Sequence, residues 1–113
     1  MIEFKRATTW DIICNLKIDG TKQDLQGLTV FFTLRPDIDI LDTTDTDATI
    51  TSTVLIPSTG AIYDYTLTIA NTATSIPIGV YNIGIQYKMT SGKIYEPFTT
   101  KCSVVNKITN RTA

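Results

Sequence analysis

From Val80 to Tyr87 the chain reads Val-Tyr-Asn-Ile-Gly-Ile-Gln-Tyr, with Tyr81, Ile83, Ile85 and Tyr87 at every second position and Asn82, Gly84 and Gln86 between them. A β-strand turns successive side chains to opposite faces, so this stretch has one apolar and one polar face. That period predicts a central strand of an antiparallel sheet. Pro77 and Gly79 lie just ahead of it, where one fixed φ and one permissive φ suit a chain turning into a sheet.

The same period recurs along the chain. Trp10, Ile12, Cys14, Leu16 and Ile18 alternate with Asp11, Ile13, Asn15 and Lys17, predicting a first strand that Asp19-Gly20 ends. Leu28, Val30, Phe32 and Leu34 predict a second, stopped by Pro36, which has no amide hydrogen for a ladder. Phe31 falls on its other face, outward or toward a partner. Ile50, Val54 and Ile56, with Ser52 between, predict a third strand; Tyr63, Tyr65, Leu67 and Ile69 predict a fourth. Between them Pro57-Ser58-Thr59-Gly60 reads as a turn, so the two runs are expected to form a hairpin. Asn71 to Ser75 is read as one helical turn capped by Asn71. Ser91-Gly92 is a further turn, and Ile94 to Phe98 with Thr100 to Val105 completes the set, as two strands or one bent at an edge or bulge by Pro97. Lys107 to Ala113 is a short polar tail.

About seven short strands, each with one apolar face, predict an all-β fold, an immunoglobulin-like antiparallel β-sandwich. At 113 residues a single domain spanning 1–113 is expected. Its expected core includes Trp10, Leu16, Val30, Phe32, Leu67, Ile69, Tyr81, Ile83 and Ile85.

Composition narrows the function classes. Hydrophobic residues make up 42% and charged residues 19%, as in a globular protein. No apolar run reaches membrane-spanning length, and Met1 to Arg6 lacks the apolar segment of a signal peptide, so synthesis and residence in a cytoplasm are expected. With a net charge of −1 and scattered lysines and arginines, neither nucleic acid nor a membrane is an expected partner. The chain has no histidine, which removes Ser-His-Asp, Cys-His and zinc–histidine chemistry at once. No enzyme activity is expected, and no catalytic, cofactor-binding or metal-binding residue is assigned.

Four constellations have a sharper and a plainer reading. Asp37, Asp39, Asp42, Asp45 and Asp47 could bind calcium, but the spacing lacks the glycine and glutamate of an EF-hand loop, and a solvated loop with side-chain-capped turns is the stronger reading. Cys14 and Cys102 both fall on apolar faces and could meet if the first and last strands paired; buried free thiols are the stronger reading in a reducing compartment. Asn110-Arg111-Thr112 matches a glycosylation acceptor and carries little weight without secretion. Tyr63, Tyr65, Tyr81, Tyr87, Tyr95 and Trp10 could form a carbohydrate-stacking platform, but most alternate onto the core face.

The order connector, Gly79, Val80, Tyr81 resembles the tyrosine corner of immunoglobulin folds, in which a tyrosine near the start of a central strand bonds to upstream backbone. Ile83 stands where the antibody-type cysteine would be, so that inter-sheet disulfide is absent.

Several short motifs come in a particular order: Lys5-Arg6 before a first strand, Ile18-Asp19-Gly20, Asp24-Leu25-Gln26-Gly27-Leu28-Thr29-Val30, Leu34-Arg35-Pro36 opening the aspartate-rich loop, Asp47-Ala48-Thr49-Ile50, and Ile76 through Gln86. In that order the chain from Phe4 to Val105 resembles a domain of tailed bacteriophages, found at the N-terminus of upper baseplate proteins and as small virion-associated proteins. The resemblance implies a structural component of the phage particle, in baseplate, tail or head surface. It would be made in the host cytoplasm, contact other phage virion proteins and form a homo-oligomer in place. The alternative is an immunoglobulin-like or carbohydrate-binding module of a bacterial surface or phage adhesion protein.

Overall fold

The strand predicted at Val80 to Tyr87 is β8, Gly79–Lys88, in a computed structural model that describes residues 2–36 and 50–106. Tyr81, Ile83, Ile85 and Tyr87 are buried, and Asn82, Gly84 and Gln86 are half-exposed on the other face. β5 (Thr29–Pro36) pairs antiparallel along one side, with Phe32 opposite Ile85, and β9 (Ile94–Val105) pairs antiparallel along the other, with Tyr81 opposite Cys102. β6 (Ile50–Leu55) adds antiparallel to β5, and β1 (Ile2–Lys5) adds parallel to β9. The resulting mixed sheet has the order β1-β9-β8-β5-β6.

β2 (Trp10–Cys14) and β7 (Tyr65–Ile69) form a separate two-stranded antiparallel sheet, and β3 (Lys17–Ile18) and β4 (Thr21–Lys22) a small hairpin. Both larger sheets send their apolar faces into one cluster. Trp10, Cys14, Leu67 and Ile69 enter it from the small sheet, and Val30, Phe32, Leu34, Ile83, Ile85, Cys102 and Val104 from the large one. Every residue expected in the core is buried, including Leu16, which follows β2. The protein is all-β, as alternation without any helical period requires.

The expected arrangement needs correction in five places. β6 and β7 do not form a hairpin: β6 pairs β5 and β7 pairs β2, so residues 57–64 cross between sheets. Alternation tells which way side chains face and is silent on the neighbour. Tyr63 lies outside β7 and is 49% exposed, not in the core. Asn71 to Ser75 is a turn closed by Ala73 N–H bonding Ala70 O at 2.9 Å, not a helix. The strands are neither about seven nor all antiparallel: nine lie among the described residues, and the β1–β9 pair is parallel. Lys5 belongs to β1 instead of preceding the first strand, because Ile-Glu-Phe-Lys is too short a run to display a period.

Pro97 sits where β9 bulges. Ile85 pairs with Phe98 and Tyr87 with Tyr95, so β9 spends one residue more than β8 between these pairs. β1 pairs only with Cys102–Val105, leaving the first half of β9 paired on one side alone, and a missing amide hydrogen is tolerated there. The first and last of the ordered motifs meet. Arg6 Nε donates to Ile76 O at 2.7 Å, and Tyr81 Oη donates to Pro77 O at 2.5 Å, the upstream bond expected of a tyrosine corner. Phe4 stacks on Trp10 with ring centroids 4.5 Å apart, while Trp10 Nε1 donates to Lys5 O at 2.8 Å, so the parallel strand is held by side chains as well as its ladder.

The Asp24 to Val30 motif closes the other end. The Asp24 carboxylate accepts from Ile62 N–H at 2.9 Å and from Gln26 Nε2 at 2.6 Å, and Leu25 beside it is fully buried. These bonds hold the Asp24 pKa below the ordinary carboxylate value, with the Ile62 amide the largest cause. Gly27, at φ 75°, donates to Ile56 O while Ile56 N–H donates to Leu28 O, both at 2.9 Å. That two-against-one pairing is a glycine bulge, and only a residue tolerant of positive φ supports it cheaply.

Candidate interaction surface

The polar positions of four neighbouring strands, β6, β5, β8 and β9, share the outer face of the large sheet, and the register aligns them in rows. One row runs Thr53, Phe31, Gln86; the next Thr51, Thr33, Gly84, Thr99; a third Arg35, Asn82, Lys101. Gly84 contributes no side chain at the middle of the middle row, so the face sinks there into an open trough of about 600 Å³. The β9 bulge sends Glu96 over that gap: a Cβ at Gly84 would lie 3.1 Å from Glu96 Oε1. A glycine inside a strand is costly in isolation, and here it leaves room for a carboxylate across the sheet.

Hydroxyls, amides, Phe31 and the Glu96 carboxylate occupy the middle of this face, with Arg35 and Lys101 toward its margin. Leu55 is 68% exposed at one end of it and Ile94 59%, in the row Leu55, Thr29, Lys88, Ile94. The face therefore has hydroxyl and amide groups at its middle and two exposed apolar side chains at one end. Among the described residues, no three His, Cys, Asp or Glu side chains come together in a way that could hold a metal ion.

Other sequence candidates fall elsewhere. Phe31 lies half-buried on the trough wall, on the outward face as its period requires. Trp10, Tyr81 and Tyr87 are buried, Tyr65 and Tyr95 pack against the core, and Tyr63 alone of the group is exposed, so they form no joint platform. Tyr87 Oη donates to Asn15 O at 3.0 Å, and burial pushes its pKa up. Cys14 and Cys102 are buried free thiols in different sheets, so the meeting that strand pairing would bring does not occur; burial raises both pKa values. Asp37 to Asp47 and Asn110 to Thr112 lie outside the described residues.

No family model, curated protein or solved structure matches this chain. The surface must therefore be read from its own residues. Sequence reading located its polar positions strand by strand but missed the trough, because the alignment of Thr33, Gly84 and Thr99 depends on register. The available signal was Gly84 itself, the one residue without a side chain in the polar half of the strongest alternation.

Proposed function

We propose that the protein is a structural component of a tailed bacteriophage particle, in baseplate, tail or head surface, acting in assembly through contacts with other virion proteins and with copies of itself. The observation that supports this reading is the outer face of the large sheet, a mostly neutral trough bordered by a strand, β6, that is paired on one side alone among the described residues. It suits protein contact and offers no reactive group. The phage assignment itself rests on the ordered motifs from Lys5 to Gln86. Their contacts give those motifs structural work: Arg6 to Ile76, Tyr81 to Pro77, and Asp24 to Ile62.

The finer fold reading belongs with this proposal. A five-stranded sheet in the order β1-β9-β8-β5-β6, a separate β2-β7 pair sharing its core, and the Tyr81–Pro77 bond support an immunoglobulin-like sandwich.

A carbohydrate-binding module is the second reading, favoured by Phe31 and Gln86 in the same trough, an aromatic face beside an amide. Mass spectrometry of purified particles separates the two, followed by placing the labelled protein in a reconstruction. The expected result is the protein at repeated positions. Absence from particles, together with micromolar binding to purified glycans, would replace the structural reading with the carbohydrate one.

A further inference from the structure

The two edges of the large sheet are built differently. At one edge β1 carries Glu3 and Lys5, which pair at 3.0 Å, and beside it the free half of β9 carries Glu96, Pro97 and a bulge. Charges, proline and bulges are how edge strands avoid pairing with other chains. The opposite edge, β6, reads Ile-Thr-Ser-Thr-Val-Leu and has none of these devices.

Its free backbone groups can be assigned. Ile56 turns both its N–H and its C=O toward the β5 side, bonding Leu28 and Gly27. Direction alternates along an antiparallel strand, so Val54, Ser52 and Ile50 also face β5. Thr51, Thr53 and Leu55 therefore present their N–H and C=O groups to the open side. Among the described residues, no strand pairs there.

We infer that β6 is a self-pairing edge, where two copies of this chain join antiparallel about a two-fold axis at Thr53 and extend the sheet across both. In this register Thr53 faces Thr53 of the second copy, and Thr51 faces its Leu55. All three outward-pointing residues of each copy then exchange both backbone bonds. Ser52 falls opposite Val54, so inner faces continue inner faces. A slip of one residue would set outer side chains against inner ones, and a slip of two would leave a hydrogen-bonded pair unused. The occupant is a second copy because the strand carries no charge to oppose itself, and the whole chain has a net charge of only −1. The outer rows become continuous, running Phe31, Thr53 of one copy into Thr53, Phe31 of the other, and the exposed Leu55 gains Thr51 of the second copy as a lateral neighbour. This deepens the assembly reading, on which its biological sense rests, by naming the surface.

Sedimentation equilibrium of the full chain tests it, with circular dichroism reporting the fold of each variant. The wild type is expected to dimerise. Thr53→Lys sets two ammonium groups face to face at the axis and should weaken dimerisation by at least about tenfold. The double variant Thr51→Lys/Leu55→Glu sets opposite charges against each other and should retain the dimer. Thr53→Cys should crosslink under mild oxidation, since Cα atoms of a hydrogen-bonded pair lie about 5.5 Å apart, within disulfide range. Thr66→Cys, on β7, should not. A wild type monomeric up to millimolar concentration, a Thr53→Lys variant of unchanged affinity, or a folded Thr53→Cys variant that never crosslinks would overturn the inference. Finding the monomer in purified particles would remove the β6 edge and leave the virion reading standing; a β6 dimer absent from particles would do the reverse.

Discussion

β8 and β6 flank the same strand, β5, and both carry β-branched or aromatic residues at period two, yet one is the centre of the sheet and the other its margin. β8 is bonded on both sides and its inward side chains are all buried. β6 is bonded on one side, and Thr51, Thr53 and Leu55 stand exposed. The difference teaches that a strand's periodicity sets the face of each side chain, while its place in the sheet decides what a mutation costs.

The largest effect is expected where β8 meets the core. Ile83→Ala removes a side chain only 1% exposed and should destabilise the protein by about 2–5 kcal/mol in denaturant unfolding. A change within about 0.5 kcal/mol would place Ile83 on a yielding surface and dissolve the contrast with β6.

A smaller loss is expected at the start of β8. Tyr81→Phe deletes the hydroxyl bonded to Pro77 O and should cost about 0.5–1.5 kcal/mol while leaving the ring in the core. Equal stability of the variant and wild type would show that the connector holds its shape without this bond.

Asp24 sharpens the comparison through pH, because it fastens the chain just before β5 to residue Ile62 beyond β6. Its folded pKa lies below the ordinary carboxylate value that the unfolded chain would show. Its contribution is therefore complete above that ordinary value and is lost as pH falls through the folded pKa. Asp24→Asn should flatten the acid-side slope of unfolding free energy relative to wild type, and an unchanged slope would count against the Ile62 and Gln26 bonds.

The smallest effects belong to the outer face. Thr53→Ala on β6 should change stability by no more than about 0.5 kcal/mol. Gly84→Ala should be similarly mild, since the new methyl meets the movable end of Glu96 rather than backbone. Amide chemical shifts should nevertheless change around the trough. A loss of several kcal/mol at either position would mean that the outer face, like the inner one, is closely packed.

Residue pattern alone was sufficient for the all-β class, for the inward faces of β5, β7 and β8, for an irregularity or edge at Pro97 and for the buried places of Trp10, Leu16 and Phe32. Each depends on local rules: side chains alternate in an extended chain, proline lacks a donor, and apolar groups leave water. The bond from Tyr81 back to upstream backbone was legible for a similar reason, because its partner Pro77 is only four residues away. Pairing was not legible. Nothing in Ile50 to Ile69 distinguishes a hairpin from a crossing between sheets, since both bury the same side chains. The parallel docking of β1 depends on contacts from Phe4 and Arg6 to distant residues, and the trough at Gly84 depends on which residues of three other strands lie beside it. Those features come from long-range backbone hydrogen bonding and close packing, so only the tertiary structure could decide them.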